Sequence, residues 1–111
     1  MEPIHATIKM RIPFKKEPEV MEILSLMTEQ IQVEAGCLLC RLFRSFKDPH
    51  MILLEQRWSN EEEMIRHLRS DRYGKILLAL EMAMEAPEIR FDYIARSRGM
   101  DLITFARGQP A

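Results

Sequence analysis

The sequence predicts an α+β fold of the ferredoxin-like kind, βαββαβ, with a four-stranded antiparallel sheet. Three observations predict it. The chain opens on apolar alternation of period two, its middle holds two adjacent strand candidates around a turn, and two amphipathic helical stretches each stand between strands.

Ile4, Ala6, Ile8, Met10 and Ile12 alternate with His5, Thr7, Lys9 and Arg11, the period of a strand with one buried face. Pro13 ends that strand, and Pro18 suits the first turn of the following helix. Val20, Ile23, Leu24, Met27 and Ile31 keep helical spacing, with Glu22, Glu29, Gln30 and Gln32 mostly opposite. Gly36 is expected to cap this helix. Strands over Cys37–Phe46 and Met51–Trp58 flank the Asp48-Pro49 turn and should form a hairpin. Ser59 and Glu62 have capping-box spacing and open a second helix. Ser70-Asp71 interrupts it, with Asp71 expected to cap the next piece. Tyr73, Ile76, Leu77, Leu80 and Met84 form that piece's stripe, which Pro87 ends. Ile89–Arg96 reads as the fourth strand, with Ile89, Phe91, Tyr93 and Ala95 on one face. Met100–Arg107 is apolar but short, and its pattern fits either a last strand or a turn of helix. The chain, 1–111, reads as one domain with a core over about 4–96 and a C-terminal extension over 97–111.

Hydrophobic residues make up 47% and charged residues 30%, which excludes a disordered chain. The net charge of −1 lacks the basic excess of a nucleic-acid binder, so no nucleic-acid partner is expected. No stretch approaches the ~18–20 apolar residues of a membrane span. The first residues lack the basic-then-apolar pattern of a signal peptide. Two cysteines are too few for a disulfide scaffold, and a cytoplasmic location is expected.

The hairpin bears on assembly. Leu38 and Leu39 are adjacent, as are Ile52, Leu53 and Leu54, and adjacent strand residues point to opposite faces. Both faces are then apolar, while two helices cover only one. A second copy packed sheet against sheet is the expected cover, with Leu38/Leu53 and Leu39/Leu54 as alternative partner-facing pairs.

Three stretches carry a family resemblance. They are Gly36-Cys37-Leu38 with Arg41-Leu42-Phe43-Arg44-Ser45, then Glu55-Gln56-Arg57-Trp58-Ser59-Asn60-Glu61-Glu62, then His67-Leu68-Arg69-Ser70-Asp71. In order and spacing, over about residues 4 to 96, they resemble the antibiotic biosynthesis monooxygenase (ABM) domains of the dimeric α+β barrel superfamily. The resemblance implies a homodimer and a pocket between each sheet and its helices. Some members are cofactor-free oxygenases of polycyclic aromatic phenols or quinols, and others degrade haem. The haem degraders resemble one another in an Asn on the first strand and a haem-ligating His on the second helix. Here the only Asn is Asn60, and Leu77 stands near the ligand's place. No haem is expected.

Other constellations are weighed against plain packing. Cys37 and Cys40 are three apart, so on a regular strand their sulfurs diverge, and buried inert thiols are expected. His5 belongs to the polar side of the first strand and His50 to a turn. His67, three residues after Met64, stands at the edge of the second helix's apolar stripe, where it could reach a pocket or be an idle boundary residue. Trp58 could wall a flat substrate or simply pack. No His spacing suggests a metal, and no Gly-rich phosphate loop or nucleophile elbow is present, so no cofactor is expected.

Two functions follow. One is a cofactor-independent monooxygenase, or related small-molecule enzyme, acting on an aromatic phenol or quinol. His67 would be its general base, and Trp58, Tyr73, Phe43 and Met27 would line its substrate pocket. The other is a non-catalytic dimeric module that binds a small ligand or only supports structure. A helix–sheet space filled by Trp58, Phe43 and Met side chains would favour the second.

Overall fold

The structure is a computed structural model and describes residues 2–108. Strand β1 (Ile4–Arg11) leads through a 3-10 turn (Phe14–Lys16) into α1 (Glu17–Ile31). The hairpin β2 (Cys37–Arg44) and β3 (Met51–Trp58) follows, then α2 (Glu61–Leu68), α3 (Asp71–Leu80), β4 (Glu88–Tyr93) and α4 (Met100–Ala106). The four strands form one sheet in the order β2-β3-β1-β4, and every pairing is antiparallel. This is the α+β, ferredoxin-like arrangement that the sequence predicts.

Alternation decides what each strand buries. Ile4, Ile8 and Met10 of β1 and Ile52, Leu54 and Trp58 of β3 point to the helix side. There they meet Val20, Leu24, Met27 and Ile31 of α1, with Met64 of α2 and Tyr73, Ile76 and Leu80 of α3. The interruption at Ser70 is real and splits the second helix into α2 and α3.

The local signals act one position away from where they were read. Asn60, not Ser59, caps α2, its side-chain oxygen accepting from the Glu63 N–H at 2.9 Å. Ser70, not Asp71, caps α3, accepting from the Tyr73 N–H at 3.2 Å. Helix α3 ends at Leu80, so Met84 lies beyond it and is exposed. Helix α1 ends at Ile31, so Gly36 serves the connection rather than the helix. Its φ is +82°, and a Cβ there would lie 2.4 Å from Glu63 Cβ. Only glycine lets the α1–β2 turn press on the start of α2. The Ser59 N–H donates to Gly36 O at 2.8 Å and fixes that approach.

A bulge between Cys37 and Leu39 corrects the reading of β2. It sets Cys37 opposite Trp58 and Cys40 opposite Gln56, so the two cysteines share the helix side instead of diverging. They are free thiols all the same. Burial pushes the Cys40 thiol up to about 11, the reverse of what a nucleophile or metal ligand needs.

The outer sheet face is also less uniform than expected. Leu54 faces the helices, Leu38 is exposed at the bulge, and Leu39 and Leu53 face outward. Leu53, Phe43 and Met51 make one part of that face apolar, while Leu39 lies opposite Arg57 beyond the Arg41–Glu55 pair. The rest is charged: His5 Nε2 pairs with Glu55 at 2.8 Å, and Arg41 does the same at 2.8 Å. Residues 100–106 are helical. No described helix is long and apolar enough to cross a membrane.

Candidate functional site

The site is built where β3 ends and α2 begins. Trp58 is the last residue of β3 and is wholly buried. Its indole N–H donates to Gln56 Oε1 at 3.0 Å. Two helical turns past the Asn60 cap, α2 turns His67 onto this indole. The two rings stack with centroids 4.6 Å apart and planes at 28°. Tyr73, in the first turn of α3, meets the imidazole edge-on at 5.3 Å and 75°. The sequence-predicted His67, Trp58 and Tyr73 are therefore one aromatic cluster.

His67 is not the boundary residue that its position on the stripe suggested, for its side chain has no exposure at all. Its Nδ1 stands 3.2 Å from both carboxylate oxygens of Glu34. Glu34 comes from the α1–β2 turn that Gly36 holds against α2. Arg72, on the first turn of α3, lies 3.4 Å from the same carboxylate. Burial lowers the His67 pKa, and Glu34 only partly restores it. The ring is therefore neutral at neutral pH. A carboxylate accepts and cannot donate, so the ring proton sits on Nδ1 and Nε2 carries a lone pair. That Nε2 is buried and has no hydrogen-bond partner among the described residues; the amide nitrogen of Gln56 is in the same state.

An acceptor of this kind, oriented from behind by a carboxylate, is equipped to take a proton. Burial also raises the Tyr73 hydroxyl, so the phenol stays protonated. No group of three or more His, Cys, Asp or Glu able to hold a metal occurs among the described residues.

The other expected pocket residues do not join the cluster. Phe43 lies on the outer sheet face opposite Leu53, with the Arg41 guanidinium 5.5 Å from its ring centre. The helix–sheet space therefore contains no Phe43. Alternation explains the error, since Phe43 follows Leu42, which faces the helices. Met27 is a core residue under α1. Of the other histidines, His5 holds Glu55, and His50 stacks on Phe14 with its Nδ1 at 2.9 Å from Ile12 O.

Beside the cluster lies a cavity of about 10 Å³, bounded by Ala6, Ile8, Leu54, Gln56, Tyr73 and Phe91. A space of that size holds a single water at most. Glu34, Gln56 and Arg72 were missed from sequence. Glu34 and Arg72 look like solvated charges in a turn and a first helical turn, and Gln56 looks like an ordinary strand residue. Only the tertiary approach of the α1–β2 turn to α2 gives Glu34 its partner.

The fold recurs in solved structures. A conserved protein from Methanosarcina mazei is 23% identical, with 84% of this chain and 93% of that one covered at a TM-score of 0.78. A Mycobacterium tuberculosis protein is 15% identical, with 87% and 99% covered at 0.78. A Deinococcus radiodurans protein named as a candidate antibiotic biosynthesis monooxygenase is 16% identical, with 86% and 96% covered at 0.79. No curated protein matches the chain. The family model for antibiotic biosynthesis monooxygenase matches residues 3–77, well over half of the sequence, and the chain belongs to that family.

Proposed function

We propose that this protein is a cofactor-independent monooxygenase of a small aromatic phenol or quinol, with His67 as general base. The observation that carries the reading is the Glu34–His67 pair, which leaves Nε2 as a buried, unpartnered acceptor within an aromatic cluster. In the proposed reaction Nε2 takes the phenolic proton. The aryloxide then gives electrons to O₂ and forms a carbon–oxygen bond. Loss of water from the resulting peroxide leaves a hydroxyquinone. One oxygen atom ends in the product and one in water, and all four electrons come from the quinol. The protein supplies a base, a dry site and an orienting hydroxyl from Tyr73. Trp58 stacks behind the base and fixes its plane. The working form is a homodimer joined through the outer sheet face, and the cytoplasm is the proposed location.

A second reading has its own observation. The helix–sheet space is packed by Trp58, Met27 and Met64, and the cavity beside Tyr73 admits no aromatic ring. A non-catalytic module of the same fold would look like this. An oxygenase of this structure must open between α3 and β4 to admit its substrate.

The test is to supply the purified, metal-stripped protein with a panel of aromatic quinols under ¹⁸O₂. Oxygen uptake above the spontaneous rate, with one labelled atom in the product, is expected. Ligand binding by calorimetry without uptake would establish the second reading instead.

A further inference from the structure

Beyond the outer sheet face, two apolar surfaces are left open among the described residues. The first is α4, where Met100, Leu102, Ile103 and Phe105 are 71, 45, 53 and 78% exposed and no residue is buried. Isolated helices below ~12–15 residues are marginal in water, and α4 has seven. Its stability has to come from packing that one copy does not supply. The second surface is the helix side of β4. Ile89, Phe91 and Tyr93 are 43, 39 and 45% exposed there, although they pair with the buried Ile8, Ala6 and Ile4. Helices α1 to α3 leave this edge strand uncovered. Leu77, 46% exposed, stands one turn on from Tyr73, whose ring shares a cavity wall with Phe91.

The shape of the molecule agrees with an arm. Its radius of gyration is 16.4 Å and its longest extent 53 Å. A compact chain of this length would have a radius of about 13 Å.

We propose that α4 is an exchanged arm, docking on the α3–β4 surface of a second copy of this chain, whose own α4 returns the contact. Area argues for this occupant. At roughly 200 Å² for each large side chain, the exposed fractions amount to about 500 Å² on α4 and about 350 Å² on Leu77, Ile89, Phe91 and Tyr93. A two-fold exchange buries both pairs of surfaces, about 1,700 Å² in all, within the ~1,200–2,000 Å² of a stable specific interface. Such a contact is isologous and closes on itself, so it ends at two copies. It uses the helix side of β4, so it adds to the pairing of the same two copies through the outer sheet face rather than replacing it. Because Phe91 walls the cavity beside Tyr73, the incoming arm also roofs the candidate site, which is incomplete without the second copy.

The test replaces Phe105 with the photo-cross-linker p-benzoylphenylalanine in the full chain. That chain is refolded with an equal amount of ¹⁵N-labelled wild-type chain and irradiated. Cross-links from position 105 of the unlabelled chain to residues 77–93 of the labelled chain are expected. Cross-links confined to one chain, cross-links to Leu39, Phe43 or Leu53 of the other, or none at all would overturn the proposal. A chain ending at Arg96 provides the second measurement, because α4 packs on nothing in its own core. It should keep its circular dichroism in the strand region and self-associate at least tenfold more weakly. An unchanged dissociation constant would also overturn the proposal.

Discussion

At His67 the chemistry of one side chain and its packing are set against each other. Burial favours the neutral ring, while Glu34 favours the charged one, and burial prevails. The sign for stability follows. An unfolded His titrates near ~6.5 and the folded one lower, so the unfolded chain binds more protons below that pH. His67 therefore adds stability that is complete above ~6.5 and is lost as pH falls toward its folded pKa. The melting temperature of the wild type should drop more steeply on acidification than that of His67→Gln; parallel curves would refute this. Glu34→Gln removes the group that supports the imidazolium, so the titration of the His67 ring, followed by NMR, should move to still lower pH. His67→Ala is a poor probe of catalysis because it empties a buried ring site and is expected to cost about 2–4 kcal/mol. His67, Trp58 and Tyr73 could be read from helical spacing and from the strand end. Glu34 could not, because nothing in the sequence places a turn carboxylate against a helix that starts some thirty residues later.

Elements were legible where a period ran uninterrupted, as in β1, α1 and β3. They were misread where one residue changes the geometry. The bulge in β2 inserts a single position and brings Cys37 and Cys40 to one face, which no alternation pattern announces. The caps at Asn60 and Ser70 each compete with a neighbour able to cap, and only the tertiary path chooses between them. Asn60→Ala should lower stability by about 1 kcal/mol in urea titration. Gly36→Ala should be worse, at about 1–3 kcal/mol, because it combines a positive φ with a Cβ driven into Glu63. It should also shift the Glu34 turn and alter the His67 ring resonances. An unchanged urea midpoint would show that the turn does not press on α2.

For the whole molecule, the sequence announced an uncovered sheet face but not its division into a charged part and an apolar part. If the outer face joins two copies, Leu53→Lys places an unpaired charge beside Phe43 and Met51. Light scattering over a dilution series should then show dissociation at a higher concentration than for the wild-type dimer, because the α4 exchange still holds the two copies; a wild-type monomer would contradict the assembly. The extension beyond residue 96 had no readable role in the sequence, and none of the residues of α4 is buried in its own copy. The family match ends at residue 77 and offers no guide to it.

The central claim is that Nε2 of a neutral, Glu34-held His67 takes the substrate's proton. His67→Gln tests it most directly, since it fills most of the ring's space and can still donate to Glu34 while lacking a base. The measurement is the rate of oxygen uptake with a responsive quinol at neutral pH, alongside the melting temperature and mass of the same sample. A fall of ~10²–10⁴ in rate, with the protein still folded and its mass unchanged, is the predicted result. Uptake equal to that of the wild type would contradict the assignment of His67 as the base.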